Sequence, residues 1–321
     1  MREVAGNKIL VTGGAGFIGS NLIAYLIKNN VNNVRVLDNL STGHFKNISR
    51  FEKLANFEFI KGDIRDIATC QKACQGMDYV LHQAALGSVP RSINDPVTSN
   101  DVNVSGFLNM LVAVRDQKVK RMVYAASSST YGDSKGLPKV EDTIGKPLSP
   151  YAVTKFVNEL YADVFAKTYD MEIIGLRYFN VFGPNQDPNC AYAAVIPKFI
   201  NLMLSNEGIT INGDGTISRD FTYVDNAVQA NMKAMLSTNR EAPNQVYNVA
   251  CGDSTSLNEL VDILKSETES ETEVVYGPNR PGDIEHSLAD ISKAKDWIGY
   301  DPAIDINEGL KRTVDWFKSG K

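Results

Sequence analysis

The stretch Lys8–Ser20, KILVTGGAGFIGS, decides the fold. It passes from a short β-branched apolar run through a glycine-rich turn into a helical pattern. Glycines at such a turn let the backbone approach a phosphate at the positively polarised start of a helix. Gly14, Gly16 and Gly19 fit the spacing GxGxxG. Gly13, Gly16 and Gly19 fit a three-residue spacing, so the register stays open at this point. The context of strand, turn and helix predicts a dinucleotide site.

Further short apolar runs follow, separated by helical patterns near 17–29, 44–54, 66–74, 96–116 and 151–169. These runs are VRVLD, FEFIKG, DYVLHQAA, RMVYAAS and EIIGLRYFN. Alternation of buried strands and helices predicts an α/β fold with a doubly wound (Rossmann) parallel sheet.

After about residue 180 the alternation loosens, with a helical AVIPKFINLML, a strand-like ITINGDG and a buried strand VYNVA. This pattern predicts a smaller C-terminal α/β substrate-binding lobe at the carboxyl edge of the sheet, where ligands of such sheets bind. We expect residues 1–181 plus about 218–253 to form the NAD-binding Rossmann domain. Residues from about 182 to 217 plus 254–321 would form the substrate lobe.

Composition narrows the class of protein. The chain has 321 residues, of which 43% are hydrophobic and 22% charged, with a net charge of -5. These values indicate a soluble globular protein and give no sign of a nucleic-acid partner. No apolar run reaches the length of about 20 residues that spans a bilayer, and no secretory signal is recognisable, so we expect a cytoplasmic protein without a membrane contact. Cysteines and histidines are scattered, and we predict neither a disulfide nor a metal site.

Asp38 ends the second predicted strand, at the distance after Gly19 that suits a carboxylate binding the adenosine ribose. A carboxylate there would repel a 2′-phosphate, which favours NAD over NADP. Asp63 follows the third strand and could contact the adenine edge by the same logic. Alternatively, Asp38 is only a helix-capping or turn residue and binds no cofactor.

Tyr151 and Lys155 in PYAVTK would stand one turn apart on a helix. A phenol with an ordinary pKa of about 10 is a poor base near neutral pH, and an adjacent cation favours its ionised form. A hydroxyl from the serine run 127–129 could complete a proton-transfer set for a secondary alcohol. Taken alone, a tyrosine and a lysine at this spacing are more often a surface pair.

Several motifs together resemble the extended short-chain dehydrogenase/reductase superfamily over nearly the whole chain. They are TGGAGFIG, Asp38, DIRD at Asp63, HQAA at 82–85, the serine run, PYAVTK and RYFNVFGP. SRDFTYVDN and RPGDIEHSLADISKA are similar to segments of nucleotide-sugar enzymes. The likeness is closest to the UDP-hexose 4-epimerase family, and within it to the UDP-N-acetylglucosamine 4-epimerase branch.

The resemblance implies tightly bound NAD that is regenerated in each cycle, a UDP-sugar substrate, a transient 4-keto sugar, and a homodimer paired through helices 96–116 and 151–169. Tyr151 would be the base, Lys155 its electrostatic partner and Ser127 the hydroxyl on O4, with Ser128 and Ser129 as possible substitutes. The implied cofactor contacts are Gly13, Gly16, Phe17, Ile18, Gly19, Asp38, Asn39, Ser41, Thr42, Gly43, Asp63, Ile64, Gln83, Ala84, Ala85, Asn103, Tyr151, Lys155 and Tyr178. The implied substrate contacts are Gly87, Ser88, Ser129, Asn180, Ala194, Val195, Thr210, Asn212, Arg219, Leu257, Arg280, Asp283 and Ser287.

Two departures from the galactose-type epimerases bear on the substrate. Gly87 and Ser88 stand where those enzymes carry a lysine, and Ser287 stands where a bulky tyrosine often lines the sugar pocket. Both changes free volume, and a small polar wall at Ser287 could admit a 2-acetamido group. The sequence therefore favours C4 epimerisation of UDP-N-acetylglucosamine, with UDP-glucose as a further possible substrate.

Two other functions are possible on the same fold. Related dehydratases and decarboxylases place an acidic residue just before a YG pair, but SSSTYG has no carboxylate there. A non-catalytic NAD-sensing protein on the same fold is the other rival, since a fold alone does not determine function. The presence of Tyr151, Lys155 and Ser127 opposes it.

Overall fold

The computed structural model describes residues 4–188, 194–278 and 286–320. Its centre is a seven-stranded sheet whose paired strands all run parallel. The strands are β1 (Lys8–Thr12), β2 (Asn33–Asp38), β3 (Phe57–Lys61), β4 (Tyr79–His82), β5 (Arg121–Ser127), β6 (Ile173–Tyr178) and, after several short strands, β11 (Gln245–Val249). Their order is β11-β6-β5-β4-β1-β2-β3. The parallel sheet that the sequence predicts is confirmed.

The helices of the described residues cover both faces of this sheet or pack with the shorter strands beside it. They are α1 (Phe17–Lys28), α2 (Ile67–Cys74), α3 (Val89–Asn94), α4 (Pro96–Asn100), α5 (Gly106–Asp116), α6 (Pro150–Tyr169), α7 (Val195–Leu204), α8 (Val224–Leu236), α9 (Leu257–Thr268), α10 (Ser292–Ile298) and α11 (Ile306–Lys318). Successive strand residues point to opposite faces. Accordingly Val11 packs with α1 and α8, whereas Leu10 packs with α2 and α5.

Two helical segments differ from the expectation. Residues 44–54 form only two short 3-10 turns, Phe45–Asn47 and Ser49–Phe51. The His44 amide and the Asn47 side chain both bond to the carbonyl of Ala15, which anchors this segment to the glycine turn. The expected helix 96–116 is divided into α4 and α5 by a π-helical turn at Asp101–Ser105.

The short strands pair beside the carboxyl edge of the main sheet. β7 (Val181–Phe182) pairs with β10 (Thr222–Tyr223), β8 (Ile209–Asn212) with β13 (Val274–Gly277), and β9 (Ser218–Arg219) with β12 (Thr255–Ser256). They share a hydrophobic cluster with α7, α9 and α11. Among the described residues, no helix has the length and apolar content needed to cross a membrane.

A buried ion pair joins α6 to β6. The Arg177 guanidinium donates to both carboxylate oxygens of Glu159, at 2.9 and 2.8 Å. Both side chains are less than a tenth exposed. The guanidinium also lies 4.7 Å from the centre of the Tyr131 ring. Removing one member of such a pair leaves a buried charge without compensation.

We therefore expect Glu159→Ala to lower the free energy of unfolding by about 3–5 kcal/mol. Asp163→Ala on the same helix is the matched control, because Asp163 pairs with Lys167 at the surface. Asp163→Ala should lower the free energy of unfolding by less than about 1 kcal/mol. Urea unfolding followed by circular dichroism measures both. Equal, small losses would show that the buried pair does not hold α6 against the sheet.

Candidate active site

The glycine turn between β1 and α1 leaves no room for side chains. Gly13 has a φ of 67°, and a Cβ there would lie 2.7 Å from the backbone nitrogen of Ala84. A Cβ at Gly19 would collide with the carbonyl of Gly13. A Cβ at Gly14 would instead meet the side chains of Val36 and Ile23. The structure thus resolves the open register, because Gly13, Gly16 and Gly19 line a cleft and Gly14 faces the packed interior.

This cleft, of about 390 Å³, lies at the carboxyl ends of the parallel strands. The start of α1 faces it, and the first N–H groups of a helix have no acceptor within the helix. A bare backbone next to these donors fits a diphosphate. The predicted cofactor contacts that line the cleft are Gly13, Gly16, Phe17, Ile18, Gly19, Asp38, Asn39, Ser41, Thr42, Gly43, Asp63, Ile64, Gln83, Ala84, Ala85, Tyr151, Lys155 and Tyr178.

Two carboxylates lie at the end of the cleft near β2 and β3. Asp38 accepts hydrogen bonds from the amides of Ala15 and Leu40, at 2.9 and 2.8 Å. Burial raises the pKa of Asp38, while these two bonds act in the opposite direction. Asp63 is held by Arg65 and Asn39, and its hydrogen bonds with Arg65 chiefly keep the pKa of that carboxyl far below its usual range. Both groups can accept hydroxyl or amine hydrogens.

Tyr151 and Lys155 occupy the other end of the cleft. The sequence SPYAVTK starts α6 here, because the Ser149 hydroxyl accepts the Ala152 amide at 3.1 Å and Pro150 takes the first helical position. The Lys155 ammonium donates to the carbonyl of Ala125 on β5, at 2.7 Å. It lies 5.9 Å from the centre of the Tyr151 ring.

The protonation of this pair depends mainly on burial. Burial raises the pKa of Tyr151, and a hydrogen bond with Ser127 lowers it. Burial lowers the pKa of Lys155 to about 8, and the Glu159 carboxylate opposes that change. Lys155 therefore stays predominantly protonated at neutral pH. Burial of Tyr151 favours the neutral phenol, and the predicted help from the Lys155 charge in forming the phenolate stays a prediction.

The structure distinguishes among the three candidate serines. Ser127 lines the cleft, and its hydroxyl is close enough to Tyr151 to lower the pKa of that phenol. Ser129 turns its hydroxyl to Ser127, donating at 2.9 Å, and lies outside the cleft, as does Ser128. Asn103, a predicted cofactor contact, does not line the cleft. Its side chain is buried and bonded to the backbone of Leu86.

A second cavity of about 350 Å³ continues from the cleft, and the two share Asn180 and Val181. The predicted substrate contacts that line it are Asn180, Ala194, Val195, Thr210, Asn212, Arg219 and Leu257. Gly87 lines the first cleft instead. The second cavity is thus joined, at Asn180 and Val181, to the cleft that contains Tyr151.

Two further predicted substrate contacts, Ser88 and Ser287, lie outside both cavities, and two others are not described by the structure. Ser88 lines neither cavity, since its hydroxyl caps α3 by accepting the Arg91 amide at 3.2 Å. Ser287 also lines neither cavity, and its amide donates to the carbonyl of Ser218 at 3.2 Å. Arg280 and Asp283 lie outside the described residues.

Lys198 is a lining residue that the sequence reasoning missed. It is an exposed lysine of α7, and it adds a cation to the cavity that contains Arg219. The available signal was a single charge within the apolar helical run AVIPKFINLML, one turn after Ala194.

The chain is similar to known epimerases along most of its length. The model of the NAD dependent epimerase/dehydratase family matches residues 9–250. A UDP-glucose 4-epimerase of Mycolicibacterium smegmatis is 34% identical over 314 residues, covering 97% of this chain and 99% of that protein.

Two solved structures are similar over the whole chain. A UDP-N-acetylglucosamine 4-epimerase from Methanobrevibacter ruminantium, in complex with UDP-N-acetylmuramic acid, has a TM-score of 0.93 and 42% identity, covering 99% of this chain and 100% of that one. A UDP-glucose 4-epimerase from Thermotoga maritima, with UDP-glucose, has a TM-score of 0.91 and 37% identity, covering 98% and 99%. These similarities agree with the glycine turn and the Tyr151–Lys155 pair in the cleft. We conclude that the chain belongs to the NAD dependent epimerase/dehydratase family and that its cofactor is NAD.

Proposed function

We propose that the protein catalyses the C4 epimerisation of a UDP-hexose, chiefly the interconversion of UDP-N-acetylglucosamine and UDP-N-acetylgalactosamine, and possesses some activity on UDP-glucose and UDP-galactose. One observation carries the proposal. A tyrosine beside a buried lysine lies in a dinucleotide cleft that opens, at Asn180, into a second cavity containing Arg219 and Lys198.

The glycine turn and the start of α1 would hold the diphosphate of NAD, and Asp38 would accept from its ribose hydroxyls. NAD, when bound, supplies a reversible acceptor for the C4 hydride. A cationic nicotinamide would add to the charge of Lys155 and favour the phenolate of Tyr151 further.

Tyr151 would take the proton from the C4 hydroxyl and return it after the sugar has turned over in the pocket. Ser127, which lines the cleft together with Tyr151, would hold the C4 oxygen beside it. Arg219 and Lys198 would retain the nucleotide diphosphate, because permanently or predominantly charged donors bind phosphate strongly. Firm retention of the nucleotide with a mobile sugar allows both faces of C4 to be presented.

The preference for an acetamido sugar rests on small residues. Gly87 leaves the cleft wall open, and a Cβ added there would meet nothing within 4 Å. A structural relative that is 42% identical is a UDP-N-acetylglucosamine 4-epimerase, which supports the same substrate class here. Ser287 lines neither cavity in this structure, and its role as a determinant of the acetamido preference stays a prediction from the sequence.

We also propose a homodimer. Val153, Leu160 and Val164 form an exposed apolar stripe on α6, and Val97 of α4 is 77% exposed. The α6 residues are separated by seven and four positions, which places them on one side of the helix. A second copy of the chain would cover this stripe without blocking the cleft side of α6.

The function is tested by incubating the purified protein, without added cofactor, separately with UDP-N-acetylglucosamine and UDP-glucose. Proton NMR of the sugar then follows the configuration at C4. We expect interconversion of both and faster turnover of the acetamido sugar. No interconversion of either sugar by NAD-loaded protein would refute the proposal.

In the same assay, Tyr151→Phe should reduce kcat by at least about 100-fold, because the general base is lost. The purified variant should still contain NAD, measured after denaturation by chromatography. Tyr161→Phe is the matched control on the same helix and should keep near-normal kcat. A near-normal rate for Tyr151→Phe would remove the assigned base.

Ser287→Tyr should reduce kcat/KM for UDP-N-acetylglucosamine by about 10- to 100-fold through steric exclusion of the acetamido group. Turnover of UDP-glucose should change little, and Ser287→Ala should leave both substrates unaffected. Initial rates on the two sugars make the comparison. Equal losses on both would contradict a gatekeeper role.

For the dimer, the double substitution Leu160→Lys and Val164→Lys should yield a monomer in light scattering after size exclusion. Desolvating two ammonium groups in an apolar interface is unfavourable. Val275→Lys, at an exposed apolar residue outside the stripe, is the control and should stay dimeric. An unchanged mass for the double variant would place any interface elsewhere.

A further inference from the structure

Three polar side chains at the wall of the cleft form a closed ring of hydrogen bonds. The Asn231 side-chain nitrogen donates to the Tyr178 hydroxyl at 2.7 Å. The Tyr178 hydroxyl donates to the Gln83 carbonyl oxygen at 3.1 Å. The Gln83 nitrogen donates to the Asn231 oxygen at 3.2 Å. Each member thus uses a donor and an acceptor, and the ring joins α8, the end of β6 and the loop after β4.

Asn231 is the anchor of this ring. It is fully buried, and its nitrogen also donates to the carbonyl of Ala227 one turn earlier in α8, at 2.8 Å. A flip of its amide would place an oxygen against that carbonyl, which neither atom could satisfy. Burial raises the pKa of Tyr178 to about 12, so its hydroxyl remains protonated and continues to donate.

The ring lies next to the reactive end of the cleft. Tyr178 pairs in register with Ser127 across β6 and β5. Tyr178 and Gln83 line the cleft together with Tyr151, whereas Asn231 does not line it. Two residues of the cleft wall are therefore oriented by a third that has no access to a ligand.

We infer that Asn231 is a positioning residue that holds Tyr178 and Gln83 in the one arrangement that confines the nicotinamide end of NAD. Side chains held by a closed network need no reordering when the cofactor binds, and such preorganisation strengthens binding. Without Asn231, the Gln83 amide loses its acceptor and the Tyr178 hydroxyl loses a donor. Both side chains then gain access to other rotamers.

The test compares Asn231→Ala, Tyr178→Phe and their double variant as holoenzymes. NAD dissociation is followed by trapping released NAD with a dehydrogenase that reduces it. Each single variant should release NAD about tenfold faster than the parent, the effect of losing one hydrogen bond in a buried site. The double variant should release NAD no faster than the faster of the two single variants, because both changes break the same ring.

Asn226→Ala is the matched control. Asn226 is a buried asparagine of the same helix, but it bonds to the backbone of Ala303 and Ile304, away from the cleft. It should lower the melting temperature as Asn231→Ala does and leave NAD dissociation unchanged. If Asn231→Ala fails to fold, Tyr178→Phe still tests the inference. The inference requires Tyr178→Phe to release NAD faster than the parent protein does.

Turnover gives a second readout, which rests on the proposed function. Asn231→Ala should lower kcat and leave KM for the UDP-sugar within about twofold, because the second cavity is untouched. The inference is overturned if Asn231→Ala resembles Asn226→Ala, if Tyr178→Phe leaves NAD release unchanged, or if the single effects multiply. Absence of epimerase activity in the parent would refute the proposed function alone, since NAD release tests the ring independently.

Discussion

The arrangement of the reactive groups depends on one hydrogen bond, from the Lys155 ammonium to the carbonyl of Ala125. It fastens the second turn of α6 to the end of β5, two residues before Ser127. Tyr151, one turn earlier on α6, is thereby placed beside that serine. Burial lowers the pKa of Lys155 to about 8, and the Glu159 carboxylate on the same helix opposes that change. The position of Lys155 is therefore set by the bond to Ala125, and its charge is supported by Glu159.

An acidic chain that binds anionic ligands must concentrate positive potential locally. The net charge of -5 offers no general attraction for a dinucleotide or a UDP-sugar. The first turn of α1 supplies uncharged donors in the cleft, while Arg219 and Lys198 supply cations in the second cavity. Under the proposed function, the two diphosphates would thus be bound by different chemistry. Backbone amides suit a cofactor that stays bound, and long side chains suit a substrate that exchanges.

Two groups of buried polar side chains in this fold form closed sets. Glu159 and Arg177 satisfy each other beneath α6, and Asn231 closes a ring with Tyr178 and Gln83. An unpaired polar group in the interior is costly, so each closed set has a single favourable arrangement. Rigidity at the cleft wall follows from satisfied hydrogen bonds as well as from apolar packing.

The sequence by itself determined the parallel sheet, the glycine turn, Asp38 and the Tyr151–Lys155 pair, because each depends on local periodicity or on a strand end. Only the tertiary structure decided that Gly13 rather than Gly14 faces the cleft, and that Asn231 supports its wall. Those outcomes depend on segments far apart in the chain, whose contacts are set by packing and by the need to pair buried polar groups. No spacing along the chain encodes them.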